Sequence, residues 1–206
     1  MQVTGPVARV LPALLVLTSA ACGGGDARAP SEANFKPAID AHLAANPKCV
    51  GEPAWMLPAE LPNPEGADPG YQAIIERLRT VVRLGLVSAT PKEGRTAYAL
   101  TEAGRRVYRT FPAGRWDPRR PVGAFCYGVA KASGVVRWTE PGNALGEVTT
   151  QVTYLGQLGT VDAWAEDAEI RRQFPYVEQE LATRTAPAEA RVTLVLMSDG
   201  WRARGR

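Results

Sequence analysis

The residue types that most often carry out chemistry are scarce in this chain. It has one histidine, His42, three cysteines and no Gly-x-Ser-x-Gly motif. His42 lies beside an apolar stripe on a predicted helix, which favours a structural role over general acid–base catalysis. A zinc site is not indicated, because Cys49, Cys126 and His42 lack the short spacings of a zinc motif. We therefore expect no catalytic residues of a known class, no metal and no cofactor.

The first twenty-five residues have the pattern of an export signal. An apolar run over 10–17 follows Arg9, and it is too short to span a bilayer, which takes about 20 apolar residues. Small residues occupy 18–21, directly before Cys22. This order of a basic residue, a short apolar run and small residues is typical of a cleavable signal peptide, here residues 1–21.

The segment Leu17-Thr-Ser-Ala-Ala-Cys22 resembles the lipobox of bacterial lipoproteins. Ser19 stands where that family usually has Leu or another branched apolar residue. The resemblance implies that the Cys22 thiol carries diacylglycerol, with palmitate-type acyl chains, and that the chain is cut just before it. An ordinary signal peptidase would cut the same bond without adding lipid, so that alternative stays open. Gly23 is not the aspartate that retains such lipoproteins at the inner membrane, which implies the periplasmic face of the outer membrane.

The odd number of cysteines has an explanation if Cys22 carries lipid. Cys49 and Cys126 then remain as one pair in an oxidising compartment, where disulfides form and persist. A bridge between them would close a long loop and contribute on the order of 4 kcal/mol in the chain-entropy model. The alternative is two buried, unpaired thiols.

The charge balance gives no strong indication of a partner. The formal net charge is +3, a weak bias that creates no field suited to nucleic acid. The closest approach to a basic patch is the tail Trp201-Arg-Ala-Arg-Gly-Arg206. We interpret it as a solvated end, with contact to anionic lipid headgroups as the alternative.

Hydrophobic spacing divides the chain downstream of the signal into regions. A flexible tether over 22–33 is followed by a helical region over 34–111, a proline-rich linker over 112–121 and a strand-rich region over 122–206. In the helical region, Phe35, Ile39 and Leu43 form one apolar stripe, and Asp68-Pro69 predicts the start of a second helix. Later, residues 147–155 alternate as in a strand, and residues 162–174 are predicted to be helical. The predicted fold class is α+β, a helical and partly winged-helix-like N-terminal region followed by an antiparallel sheet with one packed helix.

Residues 71–110 resemble the second half of a winged-helix domain of bacterial transcription regulators. The matching segments are Leu84-Gly-Leu-Val87 and Tyr98-Ala-Leu-Thr-Glu-Ala-Gly-Arg105, with a short predicted hairpin between them. The resemblance implies that the helix before Gly85 enters a DNA groove, with three arginines facing phosphates, namely Arg77, Arg79 and Arg83. An exported protein does not meet the chromosome, and proline-rich residues stand where that family has a preceding helix. We therefore expect no nucleic-acid partner, and nucleic-acid binding is a remote alternative.

The predicted function is that of a membrane-anchored envelope lipoprotein with a non-catalytic binding or structural role. Its expected partners are the membrane, through lipid on Cys22, and an envelope protein or cell-wall component. The alternative is an exported enzyme that uses carboxylates such as Glu140, Glu147 or Asp162, placed in a cleft that shifts their pKa values. Four aromatic residues near predicted strands form either core or a concave groove: Tyr127, Trp138, Tyr154 and Trp201.

Overall fold

One long strand, Val122–Trp138, runs through a curled antiparallel sheet that dominates the fold. The computed structural model describes residues 1–2, 26–113, 117–144 and 146–204. Two short 3₁₀ helices cover Pro53–Trp55 and Ala163–Glu166. The remaining elements follow in the order α1 (Glu32–Ala45), β1 (Lys48–Glu52), β2 (Ala59–Pro62), α2 (Pro69–Arg83), β3 (Val87–Lys92), β4 (Arg95–Leu100), α3 (Glu102–Val107), β5 (Tyr108–Phe111), β6 (Val122–Trp138), β7 (Gly142–Ala144), β8 (Glu147–Val161), α4 (Ala168–Gln173), α5 (Pro175–Ala182), β9 (Ala188–Met197) and β10 (Gly200–Ala203).

β6 pairs with strands from both halves of the chain. Among the described residues, seven strands form the large sheet in the order β1-β6-β8-β9-β10, with β5 also paired to β6 and β7 to β8. β1 lies along one edge of the first half of β6. Along the other edge, β5 pairs with residues 122–125 and β8 pairs from Gly128 onward. The sheet therefore changes partners along this edge of β6.

Register breaks between β6 and β8 curl the sheet around α1. The pairing shifts at three places, between Gly128 and Ala130, between Ala132 and Gly134, and between Val135 and Arg137. Such bulges bend a strand and increase its twist. Two acidic side chains of α1 accept hydrogen bonds from the amides at these breaks, Asp40 Oδ1 from Ala132 N at 2.7 Å and Glu32 Oε1 from Val135 N at 3.2 Å. The helix thus satisfies backbone donors where the strand pairing is irregular.

The apolar stripe of α1 fills the concave side of the sheet. Phe35, Ile39 and Leu43 are buried, as their four-residue spacing predicts. The Phe35 ring makes edge contacts with Trp138 at 5.4 Å and with Trp201 at 5.1 Å between centroids. This first core is completed by side chains of the curled strands, among them Ala132, Val152, Tyr154 and Leu194.

A second core lies against the first half of β6. It is covered by α2, α4, α5 and a small sheet in which, over the described residues, three strands pair in the order β2-β4-β3. Asp68 caps α2 by accepting a hydrogen bond from Tyr71 N at 3.0 Å, with Pro69 as the first helical residue, as predicted. Large buried side chains of this core include Trp55, Leu78, Tyr98, Phe125, Tyr127, Ile170 and Phe174.

The predicted fold class, a helical N-terminal region followed by a separate antiparallel sheet with one packed helix, is wrong. The described chain is mostly antiparallel sheet with few helices, and strands lie on both sides of the predicted linker. β1 and β5 precede that linker and still pair with β6, while α4 packs against α2 from beyond it. The helix in the curl is the N-terminal α1. Hydrophobic spacing predicts each element from its neighbours in sequence, whereas these pairings join residues far apart in the chain.

A local packing constraint explains the segment Leu100-Thr-Glu-Ala-Gly104 at the start of α3. Thr101 caps this helix, since its Oγ1 accepts a hydrogen bond from Gly104 N at 3.0 Å and also donates to Gly85 O at 2.7 Å. A Cβ on Gly104 would lie 1.9 Å from Leu86 O, so only glycine lets α3 approach this closely. The residues that carry the winged-helix resemblance thus have a structural role, and the family itself stays a prediction.

Several predictions fall on residues that the structure does not describe. Cys22 and all of the predicted signal peptide except residues 1–2 lie outside the described residues. No helix within the described ranges is long and apolar enough to cross a membrane. The division of the chain into regions over 22–33, 34–111, 112–121 and 122–206 also stays a prediction.

The contact between α1 and the bulged strand can be tested by a matched pair of substitutions. Asp40→Ala removes both the bond to Ala132 N and the ion pair with Lys36, whose Nζ lies 2.7 Å from Asp40 Oδ2. It should lower the free energy of unfolding by about 1–3 kcal/mol, because a buried amide loses its acceptor. Lys36→Ala removes only the ion pair and should cost at most about 0.5 kcal/mol. Urea denaturation measures both, and equal losses would contradict the role of the amide bond.

Candidate functional site

A cleft opens where β6 changes partners. β5 ends its pairing at Phe125 and β8 begins at Gly128, so Cys126 and Tyr127 lie between the two neighbouring strands. The space has a volume of about 480 Å³ and is lined by Pro47, Arg106, Val107, Arg109, Cys126, Tyr127, Gly128, Val129, Thr160 and Asp162. We call it the β5–β8 cleft. It lies between the end of α3 and the end of β8, two segments that are distant in sequence.

The rim of the β5–β8 cleft carries charge on both sides of an apolar floor. Arg106 pairs with Glu102 across one helical turn at 3.1 Å, an exposed contact of small energy. The Arg109 guanidinium donates to the carbonyl oxygens of Arg106 and Tyr108 at 3.2 and 2.8 Å. Val129 remains 43% exposed on the floor. Arginine forks suit carboxylate or phosphate groups, but they do not release protons at neutral pH, so Arg106 and Arg109 can bind a ligand and cannot act as an acid or a base.

A disulfide joins the two strands behind this cleft. Cys49 and Cys126 face each other across β1 and β6 and are bonded, which confirms the predicted bridge and excludes two free thiols at these positions. Cys49 is 5% exposed, while Cys126 contributes to the cleft lining. Tyr176 of α5 donates a hydrogen bond to Cys49 O at 3.3 Å. The bridge therefore holds β1 on β6 at the place where a helix also packs.

A partly buried polar cluster that includes the cleft residue Tyr127 fixes α5 to β6. The Tyr127 hydroxyl donates to Glu180, whose other carboxylate oxygen lies 2.6 Å from Lys48 Nζ. Burial raises the pKa of the Tyr127 hydroxyl well above its ordinary value, and the Glu180 carboxylate raises it further. Burial also raises the pKa of Tyr176. Both hydroxyls therefore stay protonated near neutral pH and serve as donors, not as bases or nucleophiles.

The carboxylates proposed for an exported enzyme are not brought together. Glu147 begins β8 and Asp162 follows its end, so roughly 50 Å of strand separates them. Glu147 pairs with Arg204, and Glu140 is exposed beyond the end of β6. Asp162 lines the β5–β8 cleft without a second carboxylate among its lining residues.

Other carboxyl groups are held ionised by arginines. Arg83 lowers the pKa of the Asp167 carboxyl, and Arg172 and Arg202 do the same for Glu169 and Asp199. A general acid needs the opposite shift, a raised pKa that keeps its proton near neutral pH. These groups therefore serve as ion-pair partners.

The remaining candidate residues have structural partners. His42 lies beside Asn46, whose amide donates to His42 O at 2.6 Å. Within the described ranges, no group of three or more histidine, cysteine or acidic side chains is placed to hold a metal ion.

The arginines of the winged-helix resemblance face carboxylates of the same chain. Arg77 pairs with Glu52 at 2.5 Å and its guanidinium lies 5.5 Å from the centre of the Phe174 ring. Arg83 makes two bonds to Asp167, at 2.7 and 3.2 Å, where α4 begins. Arg79 pairs with Glu76 at 3.4 Å. α4 thus covers part of the surface of α2 that a nucleic acid would contact.

The four aromatic residues divide between the two alternatives that the sequence left open. Tyr127 is buried in the second core, and Tyr154 and Trp201 are buried in the first. Trp138 differs, because it is 41% exposed while its ring makes an edge contact with Phe35.

The cleft residues Arg106, Arg109 and Val129 were not predicted from the sequence, since no motif or spacing distinguishes them.

Comparisons with known proteins give no family for this chain: no family model, no curated protein and no solved structure matches it.

The disulfide provides a direct test of how far this region depends on the cross-link. The double variant Cys49→Ala/Cys126→Ala opens a loop with a sequence separation of 77 residues, and it should lose about 4 kcal/mol of unfolding free energy in urea. Wild-type protein with dithiothreitol should show a similar loss. Tyr176→Phe removes only the bond to Cys49 O and should cost about 1 kcal/mol. Unchanged stability of the double variant would contradict a stabilising bridge.

Proposed function

We propose that this protein is a lipid-anchored lipoprotein of the bacterial envelope with a non-catalytic binding or structural role. The observation that carries the proposal is the disulfide between Cys49 and Cys126, because it accounts for two of the three cysteines in the chain. The remaining one, Cys22, ends the lipobox-like segment. A stable disulfide fits an oxidising compartment such as the periplasm. Two or more acyl chains on Cys22 would give stable anchoring, since each buried methylene contributes about 0.8 kcal/mol.

The proposed address is the periplasmic face of the outer membrane. This rests on the lipobox resemblance and on Gly23, which is not the aspartate of inner-membrane retention. The proposal of a non-catalytic role is supported by the distance between Glu147 and Asp162 and by the raised pKa of Tyr127, which leaves its hydroxyl protonated. The pairing of Arg77 and Arg83 within the chain favours partners other than nucleic acid.

The β5–β8 cleft is the proposed binding surface for an envelope protein or a cell-wall component. Arg106 and Arg109 supply guanidinium groups that match carboxylates, and Val129 supplies an exposed apolar contact. Both candidate partners carry carboxylates, as acidic side chains in proteins and as peptide carboxyl groups in the cell wall. The cleft is open to solvent and held by the disulfide, so it needs no rearrangement to receive a ligand.

The anchoring step can be tested through the cysteine itself. Wild-type protein should fractionate with membranes, and its N-terminal peptide should carry the mass of acyl chains on Cys22. Cys22→Ser should lose both properties, because serine has no thiol to acylate. The control Cys49→Ser/Cys126→Ser should remain membrane-bound. A wild-type peptide without added lipid mass would contradict the proposal.

The cleft can be tested by photo-crosslinking in cells. A photoreactive amino acid at Val129 should give crosslinked products, because this exposed side chain lies on the cleft floor. The control position is Ala89, which is exposed on β3, away from the cleft lining. If muramidase digestion lowers the apparent mass of a crosslinked product, the partner is the cell wall. If the apparent mass does not change with muramidase and the product contains peptides of a second protein, the partner is a protein. Equal yields from both positions, or none from Val129, would contradict binding at the cleft.

A further inference from the structure

The second half of the large sheet has a side opposite α1 that faces solvent. Val152 and Tyr154 of β8 are buried in the first core beneath α1. Because side chains alternate along a strand, Thr153 between them lies on the opposite side. The register places Arg137 of β6 and Arg191 of β9 directly across from Thr153, and therefore on that same side. We call this side of β6, β8 and β9 the outer face.

Uncharged residues form a stripe along β8, the middle strand of the outer face. Thr149, Gln151 and Thr153 alternate on this side and are followed by Leu155 and Gln157. From Thr149 to Gln157 the stripe is roughly 26 Å long, because a strand rises about 3.3 Å per residue. Gln151 is exposed, whereas Thr149 and Gln157 are half-buried. The stripe therefore presents hydroxyl and amide groups along an extended line.

Basic side chains lie on both sides of this stripe. Arg137 and Arg191 are two strands apart, so about 10 Å separates their Cα atoms across Thr153. Lys131 lies opposite Gln157, on the β6 side. All three basic side chains are exposed. A chain lying along β8 would therefore have a cation within reach on each side.

The positive charge in the middle of the outer face is not balanced from within the chain. Glu189 is the acidic residue beside these cations, and its carboxylate lies 3.5 Å from the Arg137 guanidinium. This ion pair is exposed on both sides and contributes little. Lys131 and Arg191 make no ion pair within the part of the chain that the structure describes. Three cations thus face one carboxylate.

The end of the outer face near β10 differs, because its charges are paired. The Arg202 guanidinium lies 2.5 Å from the Asp199 carboxylate, and Arg204 pairs with Glu147 at the start of β8. The unbalanced charge is therefore confined to the middle of the face, around Thr153.

The composition of the outer face distinguishes among anionic ligands. Membrane-surface sites place tryptophan at the headgroup level, and sites for single-stranded nucleic acid stack bases on aromatic rings. In this half of the sheet the aromatic residues lie on the α1 side instead, namely Trp138, Tyr154 and Trp201. Hydroxyl and amide groups match the hydroxyls of a sugar chain, and guanidinium groups match carboxylates.

We propose that the outer face binds a linear anionic glycan, a sugar chain that carries carboxylates, laid along β8. Gln151 and Thr149 contact sugar hydroxyls, while Arg137 and Arg191 hold carboxylates from the two sides. The site shares no residue with the lining of the β5–β8 cleft. It also does not depend on lipid at Cys22. Its side chains are already exposed, so a ligand can bind without rearrangement of the sheet.

The test titrates the full-length protein with polygalacturonate, a linear glycan with one carboxylate on each sugar. Isothermal titration calorimetry at physiological salt measures the Kd. The matched ligand is methyl-esterified polygalacturonate, which keeps the sugar chain but lacks the charges, and it should bind about tenfold more weakly. Equal affinities for the two glycans, or no binding of polygalacturonate, would overturn the proposal.

Two double variants separate the outer face from the total charge of the protein. Arg137→Gln/Arg191→Gln should weaken binding of polygalacturonate about tenfold, because two exposed charge contacts are lost. The control Arg79→Gln/Arg172→Gln removes the same charge from α2 and α4 and should weaken it by less than about twofold, since distant charges are screened. An unchanged urea midpoint shows that each variant is folded. Equal weakening by the two variants would rule out a site on the outer face.

A third variant should change the affinity in the opposite direction. Glu189→Gln removes the carboxylate beside Arg137, so that the guanidinium is free and a repelling charge is lost. Binding of polygalacturonate should tighten about threefold. Unchanged or weaker binding would contradict a ligand carboxylate at Arg137.

A photoreactive amino acid at Gln151 identifies the class of ligand in cells. Mass spectrometry of the crosslinked peptide should show attached sugar. A phospholipid or a peptide of a second protein at this position would overturn the glycan. The result is independent of crosslinking at Val129 and of the mass of the Cys22 peptide, so this site fails or stands separately from the proposed function.

Discussion

The backbone hydrogen bonding of β6 is the constraint on which the rest of the structure depends. This strand is 17 residues long, and nearly all of its buried amide and carbonyl groups need partners. No single neighbouring strand supplies them, because β1 and β5 pair with its first half and β8 with its second. Where the pairing with β8 shifts, carboxylates of α1 take the amides of Ala132 and Val135. The two halves of the chain therefore fold onto one strand.

Both cores and the β5–β8 cleft follow from this sharing of β6. The curl produced by the bulges creates a concave side that only α1 fills among the described helices, since Phe35, Ile39 and Leu43 point into it. The first half of β6 supports the second core beneath α2, α4 and α5. The cleft lies where one partner strand has ended and the next has not begun. It is therefore a property of strand order, and the disulfide maintains it by holding β1 on the opposite edge.

The sequence predicts features whose cause is local. The stripe of Phe35, Ile39 and Leu43, the Asp68 cap of α2 and the alternation of residues 147–155 each follow from helical or strand periodicity, and the structure has them. The predicted helix over 162–174 is only partly right, because the segment forms a 3₁₀ helix over Ala163–Glu166 and then α4, with a break at Asp167. The next helix, α5, packs on Tyr127 through Glu180. Strand partners depend on contacts between distant residues, so neither the place of β1 and β5 nor the cleft could be derived. Arg106 and Arg109 acquire their position only through that pairing.

The geometry of β6 also relates the β5–β8 cleft to the proposed anchor. Cys126 lies in the β5–β8 cleft and Trp138 ends β6, so roughly 40 Å of strand separates them. Trp201 binds the chain at Arg28 and Asn34 binds it at Asp26, so the proposed anchor at Cys22 is joined by a short connection near the Trp138 end of β6. A body anchored at that end presents the cleft on the side away from the lipid. The same strand that joins the two cores would then set the distance between the membrane and the binding surface, which explains why a long flexible tether is not required to keep the cleft accessible.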